Sequence, residues 1–232
     1  MLSIFVETSC NRYNRDECVS CHVYEPLMEH PVSEWHLSVQ QAKVMADKIQ
    51  RVEVLNTLAQ QEINLTGGEA SQNPDIVEIC KVFQTVTPHV CLHTNLDMLS
   101  EKSKRWQRLR EIMQLGGRVD ITLYPTAWEE SQKYFLGEML KLQNKLIVNV
   151  VYESLADLQS QINLLLNFFK DKSYTHVTEL LQSYAEKVAT LLETHPNCDE
   201  KLFTVSMGDT EAFANKPEFI FGISLLPAFD ID

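Results

Sequence analysis

Strand-like and helix-like patterns alternate along this chain, at about 25 to 30 residues per unit, and that order constrains the fold more than any other feature. Strand patterns occupy "LSIFVET" (2–8), "EINLTGGE" (62–69), "HVCLHTN" (89–95), "RVDITLYP" (118–125) and "KLIVNVVY" (145–152), then "LFTVSM" (202–207) and "FIFGISLL" (219–226). Between them, apolar residues recur at helical spacing. Val39, Ala42, Met45, Ala46, Ile49 and Val52 form one stripe, and Ile76, Ile79, Cys80 and Phe83 a second. Asn73 reads as the N-cap of that second helix, with Pro74 at its first turn. Trp106, Leu109, Ile112, Met113 and Leu115 mark a third helix, and 127–142 a fourth. Two more follow: Leu155, Leu158, Ile162, Leu165 and Phe169, then Val177, Leu180, Tyr184, Val188 and Leu191. Such alternation predicts a parallel sheet with helical crossovers.

A parallel strand buried on both faces reads as a continuous apolar run. These strands do not. Asp120, Thr122 and Tyr124 oppose Val119, Ile121 and Leu123; Cys91, His93 and Asn95 oppose Val90 and Leu92; Asn149 interrupts "LIVNVV". One face of the sheet is therefore polar, as in a sheet curved around a polar cavity. A full eight-unit barrel takes about 250 residues, and this chain of 232 supplies about six units. The reading is an α/β fold, a partial (β/α)6 TIM-like barrel in a single domain over 1–232, with its mouth at the carboxyl ends of the strands.

Composition removes some functions. The net charge of −12 opposes a large nucleic-acid footprint, because phosphates repel an acidic surface. The basic stretch "KSKRWQRLR", with Lys102, Lys104, Arg105, Arg108 and Arg110, reads as the solvated face of a helix. No apolar run approaches the roughly 18 residues of a membrane helix. The start, "MLSIFVETSC", lacks the pattern of a signal peptide, which points to the cytoplasm and to reduced thiols.

Three of the six cysteines crowd the loop after the first strand, where Cys10, Cys18 and Cys21 are separated by seven and by two residues. A two-residue spacer lets neighbouring thiolates share one metal centre. Three thiolates are one short of the usual set for a four-iron cluster and would leave one iron open. Zinc held by the same three with His22 or His30 is an alternative, as are three thiols with no metal. At the end of the second strand, "LTGGEAS" places Gly67, Gly68 and Glu69 at the same mouth. A glycine pair allows close backbone approach to a ligand. Glu69 is suited to accept from a ligand's ammonium group.

In this order and separation the two motifs resemble those of the radical SAM enzymes, a likeness that covers about residues 2–152; residues 153–232 match only in architecture. The spacing departs from the commonest form, which has three residues between the first two cysteines. Ser20 stands where an aromatic or apolar residue is usual, and Ala70 where proline is frequent. The resemblance implies that Cys10, Cys18 and Cys21 bind a [4Fe–4S] cluster. It implies that Gly67, Gly68 and Glu69 meet the amino group of S-adenosylmethionine, and that Asn95, Thr122 and Asn149 contact this cofactor. Reductive cleavage to a 5′-deoxyadenosyl radical, with electrons from a flavodoxin or ferredoxin, would then abstract hydrogen from a peptide or small-molecule substrate.

His93, Tyr124 and Cys91 are candidates for moving a proton or hydrogen atom near the cavity. Cys80 reads as packed in its helix, and Cys198 as isolated, so nothing suggests a second cluster of ordinary design. A glycyl-radical-enzyme activase is a narrower alternative, because "CHVYEP" resembles the Cys-His of some members. A zinc- or cluster-stabilised binding protein without catalysis is another.

Overall fold

The structure is a computed structural model, and it describes residues 1–10, 35–97, 99–123, 130–142, 146–152, 155–171, 175–194 and 221–227. The strands are β1 (Leu2–Glu7), β2 (Ile63–Gly67), β3 (Val90–Asn95), β4 (Arg118–Leu123), β5 (Leu146–Tyr152) and β6 (Phe221–Pro227). The helices are α1 (Val39–Arg51), α2 (Glu53–Gln61), α3 (Ile76–Gln84), α4 (Lys104–Gln114), α5 (Glu130–Leu142), α6 (Leu155–Asp171) and α7 (Thr175–Thr194). The six strands form one parallel sheet in the order β1-β2-β3-β4-β5-β6, and each pairs with its neighbour in sequence. The sheet is open, with β1 and β6 at its edges. Strand "LFTVSM" lies outside the described residues.

An order that never reverses has a physical consequence. Right-handed crossovers then place every helix on the same face. Burial follows that division. Ile4, Val6, Ile63, Leu65, Val90, Leu92, Val119, Ile121 and Val148 alternate into the apolar core with helix residues such as Ala42, Ile49, Phe83, Leu109, Met139 and Phe169. The opposite face carries Ser3, Phe5, Glu7, Asn64, Thr66, Cys91, His93, Asn95, Arg118, Asp120 and Thr122. Register is regular across the middle of the sheet. Ile63 pairs with Val90, Cys91 with Arg118 and Ile121 with Val148, a constant step of 27 residues.

Local chemistry explains most element boundaries. The Ser38 side chain and Gln41 form a reciprocal capping box at the start of α1. The Ser103 hydroxyl caps α4 by accepting from the Trp106 amide at 3.2 Å. Val52 is exposed instead of ending the α1 stripe; the backbone breaks there and restarts as α2, a helix absent from the sequence reading. Asn73 is not the N-cap of α3. Asp75 occupies that position and the helix starts at Ile76. Asn73 Oδ1 accepts from the Asp75 amide at 2.8 Å, while Nδ2 donates to the carbonyls of Val6 (2.7 Å) and Leu37 (3.0 Å). A fully buried side chain is thus spent on joining distant segments.

Cys80 packs inside α3 as expected, against Gly117. Burial pushes its thiol from an ordinary 9.0 up to about 12, against the opposing charge of Lys81. Above pH 9 the unfolded chain releases this proton and the folded chain keeps it, so stability must fall as pH rises towards 12. One such thiol supplies a slope of at most about 1.4 kcal/mol per pH unit. Unfolding free energies of Cys80→Ala, measured in urea between pH 8 and 10.5, should fall less steeply than those of the natural chain. Equal slopes would refute the assignment.

Candidate functional site

The site begins where β1 leaves the sheet. The Thr8 amide and hydroxyl both donate to the Trp35 carbonyl at 3.0 Å, and the Trp35 amide donates back to Thr8 Oγ1 at 2.9 Å. The Leu37 amide donates to the Val6 carbonyl at 3.0 Å, beside an antiparallel bridge between Glu7 and His36. Asn73 holds both strands of this stem through its Nδ2 group. The segment between the two strands, with Cys18 and Cys21, lies outside the described residues. Cys10 is half-buried, one residue beyond the stem's Ser9.

The Gly67–Gly68 turn sits directly against this exit. The Gly68 amide donates to the Glu7 carbonyl and the Glu69 amide to the Ser9 carbonyl, both at 2.8 Å. A Cβ on Gly67 would fall 2.2 Å from the Glu7 oxygen, and Gly67 has φ +135°. A Cβ on Gly68 would fall 2.2 Å from the Ser9 oxygen. The sequence suggests glycines that let backbone approach a ligand; the partner they approach here is the chain entering the cysteine loop. The Gly67–Glu69 turn is therefore joined by backbone hydrogen bonds to the residues just before Cys10.

Glu69 differs from expectation in its contacts. Its carboxylate is 1% exposed and faces the chain's own donors. Oε1 accepts from the Ser71 amide (3.1 Å), Ser71 Oγ (2.5 Å) and Thr94 Oγ1 (2.6 Å), and lies 3.3 Å from the Arg105 guanidinium. Oε2 accepts from the Asn95 amide at 2.8 Å. Arg105 also donates to Ser71 Oγ and to the carbonyls of Asp97 and Asn95. Arg108 donates to the carbonyls of Ser71 and Gln72 at 3.2 Å. Two of the five basic residues read as a solvated face thus clamp this turn onto β3, while Lys102, Lys104 and Arg110 are exposed.

Along the carboxyl ends, Asn95 is in register with Thr122, and Thr122 with Asn149. Asn95 is buried and its Oδ1 accepts from the Asp97 amide at 3.1 Å; Thr122 is half-buried. The Asn149 side chain and all of Tyr124 lie outside the description. Nearer the amino ends, on the same polar face, Cys91 Sγ donates to Asp120 Oδ2 at 3.0 Å. Arg118 donates to both Asp120 oxygens at 2.9 and 3.0 Å and pairs with Glu62 at 2.7 Å. The Ile147 amide donates to Asp120 Oδ1 at 3.1 Å. Burial, and next the charge of Asp120, holds the Cys91 thiol well above its ordinary range. Burial lowers His93, with Asp120 opposing, so at neutral pH both are uncharged.

Cys10, the Gly67–Glu69 turn, Asn95, Thr122 and the Asn149 backbone therefore share one end of the sheet, and Cys91 and His93 sit deeper on its polar face. Sequence reasoning did not find Ser71, Thr94, Arg105 and Arg108 as supports, nor Glu62 and Arg118 beside Asp120. The alternation of Arg118 and Asp120 on one strand face was a usable signal; the pairing of Arg105 with Glu69, 36 positions away, had none. Among the described residues, no helix is long and apolar enough to cross a membrane. Neither a protein-family model nor a curated protein matches the chain.

Proposed function

We propose that this chain is a radical SAM enzyme on a partial (β/α)6 barrel. Its [4Fe–4S] cluster would be held by Cys10, Cys18 and Cys21, with S-adenosylmethionine bound at the carboxyl ends of the strands. The carrying observation is the pair of backbone hydrogen bonds that locks the Gly67–Glu69 turn to the chain leading into Cys10. That pair of bonds keeps the turn beside Cys10, the first residue of the cysteine motif, which supports a joint role for the two motifs. The half-buried Cys10 thiol and the polar row of Asn95 and Thr122 fit a charged cofactor with a thiolate-ligated cluster.

When bound, the cluster and cofactor would supply radical chemistry for hydrogen abstraction from substrate. The chain's own work is positioning. Gly67 and Gly68 give close packing at the cysteine-loop exit. Glu69 orients the turn through Arg105 and Thr94, and its turn would meet the cofactor's amino group. Asn95 and Thr122 would bind the cofactor's polar groups, and Asn149 follows them in the same register row. The substrate is a peptide or small polar molecule, since an acidic exterior disfavours nucleic acid. The working compartment is the cytoplasm, with a flavodoxin or ferredoxin as reductant.

Anaerobic reconstitution should load about four irons and four sulfides per chain. Reduced, loaded protein should then release methionine and 5′-deoxyadenosine from S-adenosylmethionine. Replacing Cys10, Cys18 and Cys21 together by Ala should abolish both. Zinc retained in place of iron, or a full cluster in the triple variant, would overturn the reading.

A further inference from the structure

We propose a second metal site, for a zinc-class divalent cation, formed by Cys91, His93 and Asp120 on the polar face of the sheet. The ligand atoms of these three residues all lie within 4.8 Å of one another. Topology makes that proximity rigid. Cys91 and His93 are two apart on β3 and so project from one face. Asp120 stands in register with His93 on β4. Cys91 and Asp120 are buried, and His93 is largely so.

A second observation comes from the neighbouring strand. Asn64 is in register with Cys91 on β2 and is 5% exposed. Its Nδ2 donates to Met1 Sδ, but its Oδ1 is buried with no hydrogen-bond partner among the described residues. A buried acceptor without a donor is destabilising. Three protein ligands leave a tetrahedral ion one open position, usually filled by water. Water in that position would donate to Asn64 Oδ1, which accounts for the orphaned acceptor.

Charge and ligand type favour the same ion. Glu62 and Asp120 surround one guanidinium, Arg118, so these three side chains carry one net negative charge. Binding a divalent ion with release of the Cys91 thiol proton leaves the group neutral. Thiolate, imidazole and carboxylate suit a borderline cation, and not magnesium or calcium. Tetrahedral zinc distances put ligand atoms about 3.3 to 3.7 Å apart. The sulfur and the Asp120 oxygen, now 3.0 Å apart, need to open by only about half an ångström.

This site does not rest on the reading of the cysteine loop, and its test keeps the two apart. Cobalt(II) is titrated anaerobically into the full chain carrying Cys10→Ala, Cys18→Ala and Cys21→Ala. One equivalent should bind with release of one proton. It should give a thiolate charge-transfer band and visible bands of tetrahedral intensity, reversed by zinc. Cys91→Ser added to this chain should remove the charge-transfer band. Asn64→Leu removes no ligand and should keep the band while weakening affinity about 10- to 100-fold. Should the triple-alanine background not fold, the natural chain carries the test through a cobalt equivalent lost on Cys91→Ser. Absence of the band, its survival in Cys91→Ser, or unchanged affinity in Asn64→Leu would overturn the proposal.

Discussion

Glu69→Ala should lower the unfolding free energy by about 3 to 5 kcal/mol, the cost of removing one partner from a buried, hydrogen-bonded ion pair. Its carboxylate receives donors from Ser71, Thr94, Asn95 and Arg105, and all four lose this one of their partners together. In a chain of this size each kcal/mol shifts Tm by about 2 to 4 °C, so a loss of roughly 6 to 20 °C follows. Glu69→Gln keeps an acceptor of the same shape and should lose less. Arg105→Ala in the Glu69→Ala background should add less than it costs alone, because the two residues share one network. Thermal melts of the two single variants and the double variant decide this. A melting point for Glu69→Ala within about 2 °C of the natural chain would show that the carboxylate does not hold the turn.

Gly67→Ala should be comparably damaging for a different reason. At φ +135° an L side chain is strained by about 1 to 3 kcal/mol. Its Cβ also lands 2.2 Å from the Glu7 carbonyl oxygen, which is backbone and cannot rotate away. Forced overpacking adds about 1 to 3 kcal/mol. The Gly68 and Glu69 amide bonds to Glu7 and Ser9 must stretch to relieve the clash. The variant should therefore lose stability by about 2 to 6 kcal/mol, the sum of the two effects. It should also lose reconstituted iron, since the same movement displaces the approach to Cys10. Gly116→Ala is the control: it too has positive φ, but its added Cβ meets nothing within 4 Å. It should cost only the conformational strain and leave iron loading intact. Equal losses in both variants would mean that backbone strain alone, and not the close approach, explains the Gly67 result.

These two positions also mark how far the sequence could be read. Alternation is a local signal, and it is reliable where one face meets helices and the other does not. The opposition of Cys91, His93 and Asn95 to Val90 and Leu92 was visible for that reason, as was the apolar stripe through Trp106, Leu109 and Ile112. The glycine pair and the half-buried cysteine after β1 could be placed at one sheet end by strand order alone. Partners separated by tens of residues carry no such periodicity. Asn73 looks like a helix cap because caps and long-range clamps use the same short amide. Arg105 looks like any solvent-facing arginine, since nothing near it in the chain announces a carboxylate on the previous strand's loop. The glycines were recognised as needed for close approach, but only the fold says what approaches.

The stem acts as a socket closed by three hydrogen bonds between Thr8 and Trp35. Asn73 braces that socket from the third side. Once the ends are pinned, the entropic cost of the segment between them grows only logarithmically, by about 0.6 kcal/mol per doubling of length. The socket therefore separates the evolution of the insert from that of the sheet. Spacers of different length can be exchanged between Cys10 and Cys18 with little penalty to the body of the fold. A seven-residue spacer between Cys10 and Cys18 therefore adds little closure cost to the body of the fold.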